Sequence, residues 1–146
     1  MKEIEDISLK KFFVDNIKEL VKIFLLPLAV FIMNIPMTAS GLYFKIWWLD
    51  ILMHFIGGFS IGISFTLLLL LMQNKMILGD TNKAVLVFIA ISIVSFTALA
   101  WEYYEYLADY IFKTYYQWGL DDMLSDILFG LIGGFLATLI TLKIKK

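Results

Sequence analysis

Six residues of this sequence have types and spacings suited to chemistry: Asp50, His54, Glu102, Glu105, Asp122 and Asp126. Asp50 and His54 stand four apart, Glu102 and Glu105 three apart, and Asp122 and Asp126 four apart. On helices these spacings put both members of a pair on one face. Carboxylates crowded together repel, and are relieved by protonation or by a cation. Five carboxylates with one imidazole form a donor set for a divalent metal ion, be it magnesium, manganese, zinc, calcium or iron, and helical bundles build one- and two-metal sites from inward Glu, Asp and His. Such an ion would support hydrolysis or group transfer, with Glu102 or Glu105 as general base.

The elements that must position these groups follow from composition. The chain has 146 residues, 61% hydrophobic and 17% charged, which is the profile of a membrane protein with room for one domain, residues 1–146, and no separate soluble part. There is no cysteine, which excludes disulfides, thiolate metal sites and thiol catalysis. All twelve basic residues are lysine, so the bidentate arginine fork for phosphate is missing, and no basic patch supports nucleic-acid binding.

Four apolar runs, residues 21–37, 49–72, 84–110 and 122–144, are near or above the ~20 residues needed to cross a bilayer. The first carries Pro27 and ends at Pro36, where a kink is expected. Before them, residues 1–20 repeat Ile4, Ile7, Phe13, Ile17 and Leu20 at roughly helical spacing, reading as an amphipathic interfacial helix or as a solvated lead-in. "MTAS" after the first run resembles a processing site, but the leader is too long and mixed in charge for a signal peptide. The expected fold is all-α: a polytopic bundle of four transmembrane helices preceded by that amphipathic helix.

Ten lysines fall in the N-terminal segment, the second connection and the C-terminal tail, against Lys45 and Lys113 in the other two connections. The positive-inside rule then puts both termini in the cytoplasm, and the expected location is the cytoplasmic (inner) membrane. All four tryptophans and all seven tyrosines fall at the opposite, outer end, as do the six site residues. Depth agrees: Asp50 and Asp122 open their helices, and His54 and Asp126 lie one turn, ~6 Å, deeper. Residues 84–100 already cover ~25 Å, so Glu102 and Glu105 reach the same layer, while Asp109 lies ~10 Å farther out, in water.

Spans two and four share a pattern, "DILMHFIGGFSIG" against "DMLSDILFGLIGG", in which Asp50 aligns with Asp122, His54 with Asp126, Gly58 with Gly130 and Gly62 with Gly134. Glycines at four-residue intervals let helix backbones approach closely in lipid, so these two spans are expected to pack tightly. "GFSIG" also matches the lipase elbow, but that elbow is a strand-to-helix turn and this stretch is helical, leaving Ser60 as a packing residue.

The segments "DILMHFIGGF", "AWEYYEYL" and "DDMLSDILFGLIGG" resemble those of the uncharacterised YjdF-type inner-membrane family: Asp-x-x-x-His-Phe-x-x-Gly-Phe, Glu-x-x-Glu, and Asp-Met-Leu-x-Asp followed by glycines. The likeness falls on Asp50, His54, Phe55, Gly58, Phe59, Glu102, Glu105, Asp122, Met123, Leu124 and Asp126. A looser likeness is to VanZ-like proteins, linked to teicoplanin resistance; Ile51 stands where that pattern has Lys, and its late Arg is missing. Neither resemblance implies a named reaction.

The residues support a divalent-metal site at the outer membrane face, with membrane lipids as surroundings and a lipid or polyprenyl headgroup as the expected ligand. Two rivals use the same residues. One is a cation or proton transporter, for which so small a chain would form a homo-oligomer; the other is a non-catalytic envelope accessory protein of the VanZ-like type. A bland reading also exists, in which the helix ends protrude and the carboxylates are merely hydrated.

Overall fold

The computed structural model describes residues 9–145, whose regular structure is helical with no strand among them. The order is α1 (Leu9–Asp15), α2 (Ile17–Ala39), α3 (Leu42–Lys45), α4 (Leu49–Asn74), α5 (Lys83–Phe112) and α6 (Leu120–Ile144). Four of them, α2, α4, α5 and α6, are long and apolar enough to cross a membrane. Their bounds lie within about one helical turn of the spans expected from hydropathy, because only helices satisfy the backbone polar groups of such runs in lipid.

The expected interfacial helix differs in form. Residues 1–8 of it lie outside the described residues, and the remainder is the short α1, separated from α2 at Asn16. The Asn16 amide donates to the Phe12 carbonyl at 2.8 Å, and the Asn16 backbone N–H donates to the same oxygen at 3.1 Å. An asparagine side chain that competes for a backbone carbonyl is a local reason for the interruption. Phe12 and Leu20 are buried there, while Phe13 and Ile17 are exposed.

Helix α2 runs through both prolines rather than stopping at Pro36. A proline at position 27 lacks the N–H that would bond the carbonyl of residue 23. That carbonyl is taken instead by the Ser64 hydroxyl of α4, at 2.6 Å. The bond replaces the lost helical one and pins α2 to α4, with Phe24 and Phe65 packed edge to face at 5.3 Å beside it.

The most extensive packing is between α4 and α6. A Cβ at Gly58 would collide with the Gly130 backbone, one at Gly133 with the Phe55 carbonyl, and one at Gly62 would lie 2.5 Å from the Gly134 oxygen. The pairs aligned in sequence, Gly58 with Gly130 and Gly62 with Gly134, are therefore the pairs that meet in space. Contact of this kind replaces the hydrophobic drive that lipid cannot supply. Deeper along the seam the Thr66 and Thr138 hydroxyls bond at 3.2 Å. At the far end Leu69, Leu86, Ala90 and Leu142 form an apolar core.

Helix α5 packs on both α4 and α6, whereas α2 packs on α4 and makes no close backbone approach to α5. One side of the bundle is a tight three-helix wedge. The other is a gap between α2 and α5, floored by α4.

Candidate metal centre

The parallel run of α4 and α6 puts their N-terminal ends side by side, and the C-terminal third of α5 completes the group. Asp50 lies in the first turn of α4 and His54 one turn on, where its ring sits between the other two helices. His54 Nε2 is 3.5 Å from Asp50 Oδ1 and 3.9 Å from Asp126 Oδ2, and Nδ1 is 3.6 Å from Glu102 Oε1. These separations exceed the ~2.7–3.2 Å of a hydrogen bond. They approach the roughly 3.0–3.4 Å that separates two donors of one ion when each lies ~2.1 Å from it.

Burial makes the group costly. The side chains of Glu102, Asp126 and His54 are 2%, 1% and 8% exposed, against 26% for Asp50. Glu102 Oε1 and Asp126 Oδ1 are buried without a hydrogen-bond partner. An ionised oxygen without a partner in such surroundings carries the full desolvation penalty. Two donor groups stand close enough to hold an ion, their candidate atoms lying within 4.8 Å: Asp50, His54 and Asp126, and His54, Glu102 and Glu105. His54 belongs to both. A neutral imidazole has one lone pair to give, so an ion on one ring nitrogen leaves the other N–H to donate to the opposite carboxylate.

The remaining site residues have other partners. Glu105 Oε1 accepts the Trp101 indole N–H at 2.9 Å, and Glu102 Oε2 faces the Gln117 amide at 3.4 Å. Asp122 is half-buried, accepts the Trp118 backbone N–H at 3.1 Å, and lies in neither donor group. The structure thus brings together five of the six residues singled out by spacing and puts Asp122 beside them as a clasp on the start of α6.

Asp109 is partly buried and bonded, not merely hydrated as its depth suggests. Its carboxylate accepts the Thr114 hydroxyl at 2.6 Å and the backbone N–H groups of Tyr116 and Gln117 at 2.7 and 3.0 Å. This folds the α5–α6 connection back over the site, with Lys113 and Tyr115 at φ +58° and +63°. Left-handed backbone costs a non-glycine residue about 1–2 kcal/mol, which the three bonds to Asp109 offset. The result is to deliver Gln117 to Glu102.

Two adjoining cavities meet at the site. The larger, about 320 Å³, has an aromatic rim that includes Phe44, Tyr104, Tyr115, Tyr116 and Trp118. The smaller, about 190 Å³, follows the gap among α2, α4 and α5 past Val30, Gly57, Ile61 and Val94. Phe31, Asn34, Tyr43, Asp50, Trp101 and Glu105 line both, so the carboxylates of Asp50 and Glu105 sit where they join. The Tyr43 hydroxyl donates to the Asn34 side chain. Burial, then the charges of Asp50 and Glu105, push the Tyr43 phenol above its ordinary range, keeping it a neutral donor.

The aromatic cluster at this end was legible from composition, and Trp101 belongs to it. Asn34, on the first span, and Gln117, in a connection, carried no periodic or charge signal and emerge only when α2 and the α5–α6 connection are folded against α4 and α5.

No curated protein and no solved structure matches the chain. A family model described as "Predicted membrane protein (DUF2238)" matches residues 14–146, a stretch that holds all four long helices and every residue of the cluster. The chain belongs to this membrane-protein family, the YjdF-type family that its three segments resemble.

Proposed function

We propose that this protein is a multi-pass membrane protein that binds a divalent metal ion among Asp50, His54, Glu102, Glu105 and Asp126, and uses it for hydrolysis or transfer at a lipid headgroup. The observation that carries the reading is the pair of buried, unpartnered carboxylate oxygens, Glu102 Oε1 and Asp126 Oδ1, flanking one imidazole at donor-to-donor separations. Four carboxylates around a single histidine leave a negative excess that a cation relieves. An imidazole among oxygen donors favours manganese, iron or zinc over calcium and magnesium.

The general-base role falls to Glu105 rather than Glu102. Glu105 lines both cavities and has one carboxylate oxygen held by Trp101, whereas Glu102 is 2% exposed and faces His54 and Gln117. Positive-inside counting puts this end at the outer face of the cytoplasmic membrane. A transport route across the bilayer has less support. Among the described residues the buried carboxylates are Glu102 and Asp126, both at this end, while deeper in the bundle the buried Ser64, Thr66 and Thr141 hydroxyls bond to backbone carbonyls and Thr138 pairs with Thr66.

Elemental analysis of protein purified in mild detergent tests the reading. About one equivalent of a transition metal is expected in the wild type and under a tenth of that in the Glu102→Gln, Asp126→Asn double variant. Equal, negligible metal in both, with both folded and equally stable after manganese or zinc is added, would sink it.

A further inference from the structure

The inner cavity adds a feature that metal binding does not need. Its hydroxyl-bearing lining residues are turned away: Ser60 donates to the Gly57 carbonyl at 2.8 Å and Thr97 to the Ile93 carbonyl at 2.8 Å. Away from the end formed by Asn34, Tyr43, Asp50, His54 and Glu105, what remains facing the space is hydrocarbon and backbone. One helical turn beyond the lining residues Pro27 and Ser60, α2 and α4 are joined by the Ser64 to Ile23 bond and the Phe24–Phe65 pair, and the near end of the cavity is lined by Asp50 and Glu105. The side between α2 and α5 has no close backbone approach to seal it, and the aromatic pair across it is Phe31 with Trp101, edge to face at 6.1 Å.

Gly57 is the second observation. Its neighbour Gly58, and Gly62 and Gly133 along the seam, are glycines because another backbone occupies the place of a Cβ. A Cβ on Gly57 would meet nothing within 4 Å, yet the residue lines the inner cavity. Glycine inside a helix costs stability relative to alanine. Helix packing does not account for that cost at position 57, whereas an occupant of the space would.

We infer that the gap between α2 and α5 is a lateral portal through which a single-chain lipid phosphate seats one hydrocarbon chain against Gly57, with its head at the carboxylate-held cation. The inference rests on the metal reading for the head and on the cavity alone for the chain. An apolar cavity of ~150 Å³ admits benzene, so about 190 Å³ holds a several-carbon length of chain. From Pro27 to Asn34 the slot follows α2 for roughly 10 Å. The head is assigned as phosphate because a divalent cation held by oxygen donors draws an anionic oxygen ligand, and with no arginine in the chain the cation is the means of holding one. A chain lying along the slot needs no exit through water, since the α2–α5 side faces lipid in a membrane-spanning bundle.

The test uses the full chain in nanodiscs loaded with manganese and a long-chain alkyl phosphate bearing a photoactivatable group in its chain. Crosslinks are expected on residues 27–31 and 57–61, competed by unlabelled alkyl phosphate but not by inorganic phosphate or alkylamine at equal concentration. Gly57→Leu from one wall and Val30→Trp from the other should each reduce labelling at least tenfold while leaving metal content unchanged. Labelling that is insensitive to both variants, or that spreads over outward-facing positions such as Leu25 and Phe135, overturns the proposal, as does stronger competition by the alkylamine. Localised labelling that survives chelation would support the chain slot while removing the metal reading, so the two failures are distinguishable.

Discussion

Gly57 and Gly58 are adjacent on α4 and face opposite fates. Gly58 is pressed against the Gly130 backbone in the α4–α6 seam, and Gly57 looks into the open gap between α2 and α5. The same residue type closes one side of the bundle and leaves the other open. A missing side chain gains van der Waals contact when a second backbone fills the space, and gains room when nothing does. The carboxylate cluster lies at one end of both regions, its metal-ligand candidates held by the closed side and its access provided by the open one.

The sharpest way to break this contrast is at the seam. Gly58→Leu is expected to abolish the folded bundle, because the added atoms meet backbone that cannot move aside; even Gly58→Ala should cost about 3 kcal/mol. The check is thermal unfolding in detergent, together with the yield of monodisperse protein. If Gly58→Ala melted within a degree of wild type, the α4–α6 contact would be looser than described.

Metal removal should give the next largest effect. At a hundredfold excess over its dissociation constant, a bound ion adds about 2.7 kcal/mol, so chelation should lower the wild-type midpoint by several degrees. The Glu102→Gln, Asp126→Asn variant should show no chelator response. It should also melt above metal-free wild type, since amides in place of two buried carboxylates remove an unpaired desolvation cost. Melting curves with and without chelator decide both points.

Asp109→Ala reaches the site indirectly. It releases Thr114 and the backbone N–H groups of Tyr116 and Gln117, which should cost about 1–2 kcal/mol. Hydrogen exchange should quicken across residues 113–118. Metal affinity should fall severalfold through the loss of Gln117 from Glu102, and a variant that binds metal as wild type does would separate the connection from the site.

The smallest effect is expected on the open side. Gly57→Ala should be neutral or stabilising by up to about 1 kcal/mol, because the added methyl meets open space and alanine is the better helix former. Set beside Gly58→Ala, it measures the difference between the two faces of one helix. A destabilisation comparable with that of Gly58→Ala would mean the gap is filled in the folded protein.

Much of this architecture is readable in the sequence. Long apolar runs in lipid have no alternative to helices, so the four spans and their ends followed from composition and length. The i, i+3 and i, i+4 spacings of Asp50 with His54, Glu102 with Glu105 and Asp122 with Asp126 put each pair on one face, and the matched glycines named the α4–α6 contact in its register. The break at Asn16 was not readable, because it depends on whether one amide takes a backbone carbonyl. The shelter of Asp109 was not either, because counting rise per residue measures depth and says nothing of a connection that folds back.

Local chemistry and periodicity are written in the sequence: which segments span, which faces carry carboxylates, and which glycines are small enough for contact. What the tertiary structure alone decided is what each group meets. It set Asp122 apart from the other five, brought Gln117 to Glu102, gave the carbonyl orphaned by Pro27 to Ser64, and separated two neighbouring glycines into a packed one and an open one. Those outcomes depend on contacts between residues distant in the chain, and spacing along one helix cannot tell whether the space beside it is filled by another helix or left for a ligand.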